Sequence, residues 1–144
     1  MPILTDPLGW FTLRIPEGWS QQTEDCVTLV RGPAGIGTLY LSGGRHAGGR
    51  QPGFGGAEFL ARFLRSLGLA VERASIESIE GPGCLIYCYE RRGPEALWRY
   101  WSVTDDETAL LISYTCPLSD AELEADDVDD VIRSVRLYHS VPVH

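Results

Sequence analysis

The sequence contains no lysine: all twelve basic residues are arginine, against twenty Asp and Glu, for a net charge of −8. That balance excludes nucleic acid and an anionic membrane surface as partners, since both demand clustered positive charge. An all-arginine basic set also fits a GC-rich bacterial genome. No stretch approaches the ~20 apolar residues of a spanning helix. The first ten residues, MPILTDPLGW, lack both a basic start and an apolar run, so no signal peptide is visible and a cytoplasmic protein is expected. Cysteine is sparse, with Cys26, Cys84, Cys88 and Cys116 and no C-x-x-C. In a reducing compartment these read as free thiols and small core residues. Neither a Walker loop, which needs Gly-Lys, nor a G-x-S-x-G or H-E-x-x-H motif occurs. The histidines His46, His139 and His144 sit in no catalytic setting, so no catalytic residue, metal ligand or cofactor is assigned.

What is present is a chain of 144 residues, the size of one domain. Such a domain buries roughly 70% of its unfolded surface, enough for a core without staples. We take 1–144 as a single domain with an ordered core over 9–138. The dominant stretch is 97–115, LWRYWSVTDDETALLISYT, which reads as a long β-hairpin with an acidic tip at Asp105-Asp106-Glu107. A three-residue tip would set Thr104 opposite Thr108; an even-numbered loop would mix the two faces. Either way both faces stay apolar, which argues for a central hairpin packed on both sides.

Strands are expected at 10–15, 26–31 and 37–42, forming a meander, then at 71–80 and 84–91. A helix is expected at 57–67, with Phe59, Leu60, Phe63, Leu64 and Leu67 inward and Gly68 at its C-terminal stop. A last helix begins at Ser119, where Ser119 and Glu122 match a capping box and Leu118 and Leu123 a hydrophobic staple. Ala121, Ala125, Val128, Ile132 and Val135 trace its inner stripe, and 136–138 can add a short strand. The order β-β-β-α-β-β-β-β-α gives an α+β fold with an antiparallel sheet.

Between the third strand and the first helix lies 43–56, seven of whose fourteen residues are glycine. A loop this long in a compact domain is usually functional or mobile, so a flexible surface loop is the alternative to a binding one. Arg45, His46 and Arg50 make it a candidate contact for an acidic surface or an anion. Trp10 and Trp19, flanking the first strand, are candidates for lining a cleft. The acids of 122–130 lie on a helix without the central glycine of a calcium loop and read as a solvated face.

The segment Phe11-x-x-x-Ile15-Pro16-x-Gly18-Trp19 resembles the opening strand and corner of the PsbP-like superfamily. That superfamily includes the extrinsic photosystem II protein, the Ran-binding nuclear import factor and bacterial DcrB-like proteins. Trp101-x-Val103, Leu111-Ile112-Ser113-Tyr114 and Val131-Ile132-x-Ser134-Val135 resemble its closing hairpin and helix. The resemblance implies an antiparallel sheet with helices on both faces and a non-catalytic, protein-binding role. It transfers no functional residue. The sequence thus leads to a cytoplasmic bacterial protein-binding domain, such as an adaptor, chaperone or immunity protein, with another protein as partner. A small-molecule or anion-binding domain using the glycine-rich loop is the alternative, and an enzyme of unknown type the third.

Overall fold

The computed structural model describes residues 3–6, 9–25, 27–45, 56–81, 84–105 and 108–138. Its strands are β1 (Ile3–Thr5), β2 (Phe11–Arg14), β3 (Ser20–Glu24), β4 (Val27–Arg31), β5 (Thr38–Arg45), β6 (Glu77–Gly81), β7 (Cys84–Arg92), β8 (Ala96–Thr104), β9 (Thr108–Pro117) and β10 (Arg136–Leu137). Helix α1 (Gly56–Ser66) follows β5, and α2 (Ala125–Arg133) precedes β10. Seven strands form one antiparallel sheet in the order β3-β4-β5-β9-β8-β7-β6, and β1-β2-β10 form a second, smaller one. The fold is α+β, as expected.

The hairpin is central, with β9 in the middle of the large sheet. Its tip differs from the three-residue expectation. Thr104 lies opposite Ala109, which leaves an even number of residues between them. Residues of opposite parity therefore share a face. Leu97, Trp101 and Val103 join Leu110, Ile112, Tyr114 and Cys116 on one side, all buried. Trp98 and Tyr100 stand on the other side with the smaller Ser113 and Thr115.

Each face is covered by a different helix. Leu60 and Leu64 of α1 pack with Val71 and Tyr100, joined by Tyr87, Tyr89 and Trp98. On the opposite face Val128, Val131 and Ile132 of α2 pack with Trp101 and Ile112. Leu4, Phe11, Leu13 and Ile15 of the small sheet complete that core. The first expected strand thus belongs to a separate layer rather than to a meander with the next two. The meander itself is β3-β4-β5.

Helix α1 ends as its sequence indicates. Gly68 adopts φ +86 and donates to the Arg65 carbonyl, while the Leu69 N–H reaches back to that of Leu64. These paired bonds close a Schellman motif. Leu67, expected inward, is 53% exposed because it lies in this closing turn. Only the second half of 71–80 is a strand; Arg73–Ser75 is a 3-10 turn.

The capping box does not form. Leu118–Asp120 is a 3-10 turn and α2 starts at Ala125, with Glu124 at the N-cap position and Leu123 66% exposed. The Glu124 side chain is drawn into the core instead, so its own residue leaves the helical path. Ser119→Ala is accordingly expected to change stability by less than about 0.5 kcal/mol, as at an ordinary surface site. Gly68→Ala is expected to cost about 1 kcal/mol, because alanine is strained in the left-handed region. Urea denaturation midpoints of the two variants check both values.

Candidate functional site

Two anchors fix α2 on the large sheet. Glu124, 6% exposed, accepts a hydrogen bond from the Tyr114 hydroxyl at 2.6 Å and one from the Gly37 N–H at 3.1 Å. Both neighbouring glycines make room. A β-carbon on Gly37 would lie 2.5 Å from the Tyr114 hydroxyl, and one on Gly32 2.5 Å from a Glu124 carboxylate oxygen. Burial, followed by the hydrogen bond and charge of Glu124, pushes the Tyr114 hydroxyl far above its ordinary value of 10.0. The second anchor is Arg99, which donates to Asp129 at 2.6 Å and lies 4.7 Å from the centre of the Trp101 ring. Arg99 also lines a cleft of about 260 Å³ with Ser75, Glu77, Cys88, Tyr89, Glu90 and Trp101. Its charge is committed there to Asp129 and Glu90.

Beyond α2 the chain enters β10 and builds a different cleft. Ser134 accepts from the Arg14 N–H at 2.8 Å, and Arg136 lies opposite Thr12 across the small sheet. Phe11 and Leu13 point into the core, so Thr12 and Arg14 point outward. The result is a cleft of about 360 Å³ lined by Ile3, Thr12, Leu13, Arg14, Ser134, Arg136 and Tyr138. Among the described residues no carboxylate lines it. Among the described residues no ion pair joins Arg14 or Arg136 to an acid. Arg136 Nη1 donates to the carbonyls of Val135 at 3.1 Å and Ser134 at 3.3 Å, which steadies its guanidinium. Ile3 is 64% and Tyr138 47% exposed, so apolar surface flanks the charge. Thr12 and Tyr138 place their hydroxyls 3.3 Å apart.

Two of the sequence-selected residues converge on this cleft through the backbone. The Tyr138 N–H donates to the Trp10 carbonyl at 2.9 Å. The Tyr138 carbonyl accepts from the Thr108 hydroxyl at 3.1 Å, and Thr108 lies opposite Arg45 on β5. Strand β5 therefore continues through Gly43 and Gly44, which the sequence placed in a loop. The Arg45 side chain, His46 and Arg50 lie outside the described residues. Trp19 is elsewhere, against Gly32 beside Glu124. Trp10 packs near Gly43. Gly37, bound to Glu124 just before β5, and Gly43 within β5 are six residues apart, about 20 Å at strand spacing. The two tryptophans thus occupy opposite ends and share no cleft.

The described thiols are unpaired. Burial, the largest cause at each, raises Cys84, Cys88 and Cys116 and keeps them protonated. A protonated thiol is a weak nucleophile. Sequence reasoning missed Arg14, Arg136 and Tyr138 as a group. The signal for Arg14 was local, an outward charge on an alternating strand, but its partner lies more than a hundred positions away.

Tyr114→Phe is expected to cost about 2 kcal/mol, because it removes a donor from a buried carboxylate. It also changes the alkaline limb of stability. A tyrosine held protonated in the folded state binds its proton more tightly there than in the unfolded chain. Its contribution is complete below its ordinary value of 10.0 and is lost as pH rises above it. Urea midpoints above pH 10 should fall less steeply for Tyr114→Phe than for the parent chain.

The sequence matches no family model and no curated protein. Solved structures do match. A crystal structure from Bacteroides thetaiotaomicron aligns with TM-score 0.68 at 14% identity, covering 96% of this chain and 48% of that one. Cyanobacterial PsbP from Synechocystis aligns with TM-score 0.68 at 14% identity, covering 95% of this chain and 92% of that one. LpqN of Mycobacterium tuberculosis, involved in cell envelope biogenesis, aligns with TM-score 0.61 at 8% identity, covering 90% and 83%. The cytoplasmic expectation is overturned: it rested on the missing signal, whereas this fold serves a protein of cell envelope biogenesis. No helix among the described residues is long and apolar enough to cross a membrane. By topology and by these alignments, the chain carries the PsbP-like fold.

Proposed function

We propose that this chain is a non-catalytic protein-binding domain, of adaptor, chaperone or immunity type, that meets an acidic partner at the cleft of the small sheet. The observation that carries the reading is the exposed Arg14 and Arg136 pair. Neither is neutralised by a described acid, and both stand beside exposed Ile3 and Tyr138. On a protein of net charge −8 this is a local positive site in a negative field. Such a site steers an acidic surface and orients it, while the apolar flank supplies area to bury. Trp10 borders the same contact, since its carbonyl accepts from the Tyr138 N–H, and the backbone of Arg45 connects to Tyr138 through Thr108, its partner across the sheet. Trp19 serves the packing around Glu124 instead.

Charge reversal tests the reading. Arg14→Glu with Arg136→Glu should weaken capture of an identified partner from extracts of the source organism by tenfold or more, roughly 1.4 kcal/mol. The melting temperature should stay nearly unchanged, because both side chains are exposed. Equal capture by the double variant would remove the cleft as the contact. A parent chain that captures no protein at all would remove the binding-domain reading.

A further inference from the structure

We infer that the cleft recognises an extended acidic segment of its partner, with carboxylates two residues apart. The inference rests on the binding-domain reading above and names the chemistry recognised. Arg136 lies opposite Thr12, and Arg14 follows two residues along β2. The arginines are therefore diagonal cross-strand neighbours, about 7–8 Å apart at the backbone. An extended chain places side chains i and i+2 on one face at about 6.6–6.8 Å. The two spacings match, so one carboxylate can meet each guanidinium.

The other groups fit the same ligand. Guanidinium forks pair with carboxylates through two parallel bonds. Arg136 uses Nη1 on the Ser134 and Val135 carbonyls, which leaves its far edge for a ligand. Two positive charges this close repel each other, and a pair of acids removes that cost. The hydroxyls of Thr12 and Tyr138 can serve the peptide backbone of the segment. Ile3, opposite Arg14, offers an apolar shelf for the residue beside the first acid. A lipid surface fits poorly, since two arginines on a chain of net −8 cannot offset its repulsion from anionic headgroups.

The test uses the full chain and a fluorescent peptide, acetyl-Gly-Glu-Leu-Glu-Leu-Gly, followed by fluorescence anisotropy. The parent chain should bind it at least tenfold more tightly than the same peptide with Gln for Glu. It should also prefer it several-fold over a peptide with the two acids adjacent. Arg14→Gln with Arg136→Gln should abolish both preferences while retaining the parent's circular dichroism and melting temperature. Equal binding of the Glu and Gln peptides overturns the inference. So does displacement of the peptide by inorganic phosphate at the concentration at which the peptide itself saturates, which would mark a phosphate site. A dimer in sedimentation that the double variant disperses also overturns it, since a second copy would then fill the cleft. If partner capture persists while the peptide fails, the binding-domain reading survives and the recognition chemistry falls. If the peptide binds but no partner is captured, the reverse holds.

Discussion

The Glu124 carboxylate is the constraint on which the rest of the structure depends. It is almost completely buried, and a buried charge is costly unless it is hydrogen-bonded. The Tyr114 hydroxyl on β9 and the N–H of Gly37, just before the adjacent β5, meet that requirement. One side chain therefore fixes where α2 begins, how far it stands from the sheet, and why Gly32 and Gly37 carry no side chain. Arg99 and Asp129 repeat the attachment one turn further along. A buried carboxylate of this kind adds little net stability against an apolar substitute, but removing one partner is expensive. Its structural value is in specifying a single position for α2.

That position passes along the chain to the functional surface. Val135 closes the core directly after α2, Ser134 grips the backbone of Arg14, and Arg136 pairs with Thr12. The register of β10 against β2 thus follows from the placement of α2. The cleft is assembled from the two ends of the chain, held together by a helix that is itself held by Glu124. Of the acids on α2, Asp129 is committed to Arg99 on the large sheet.

Much of this was legible in the residues. The aromatic and β-branched hairpin read as central because both its faces are apolar, and β9 is the middle strand. Gly68 read as a helix stop, and its φ of +86 is the reason. Other elements carried no local signal. Strand β3, Ser-Gln-Gln-Thr-Glu, is exposed at all five positions, so no apolar alternation marks it. Strand β1 is three residues long, too short for a period to show. Ser119 and Glu122 have the spacing of a cap, yet the helix start is set by Glu124 with Tyr114 on the preceding strand and with Gly37, distant in sequence. The hairpin faces turned on the parity of one loop. The cleft was invisible for the same reason as the cap: Arg14 and Arg136 meet only through the pairing of β2 with β10, which no local pattern encodes.

The outer face of the small sheet is the proposed contact surface. Titration of the isotope-labelled full chain with an acidic partner segment, followed by amide chemical shifts, tests it most directly. Shifts should concentrate at Ile3, Thr12, Arg14, Ser134, Arg136 and Tyr138, spread to Trp10 and Arg45, and leave β3 and β4 unmoved. Shifts centred on β3 and β4, or on the face covered by α1, with none in the small sheet, would place the contact elsewhere and rule out the small-sheet surface.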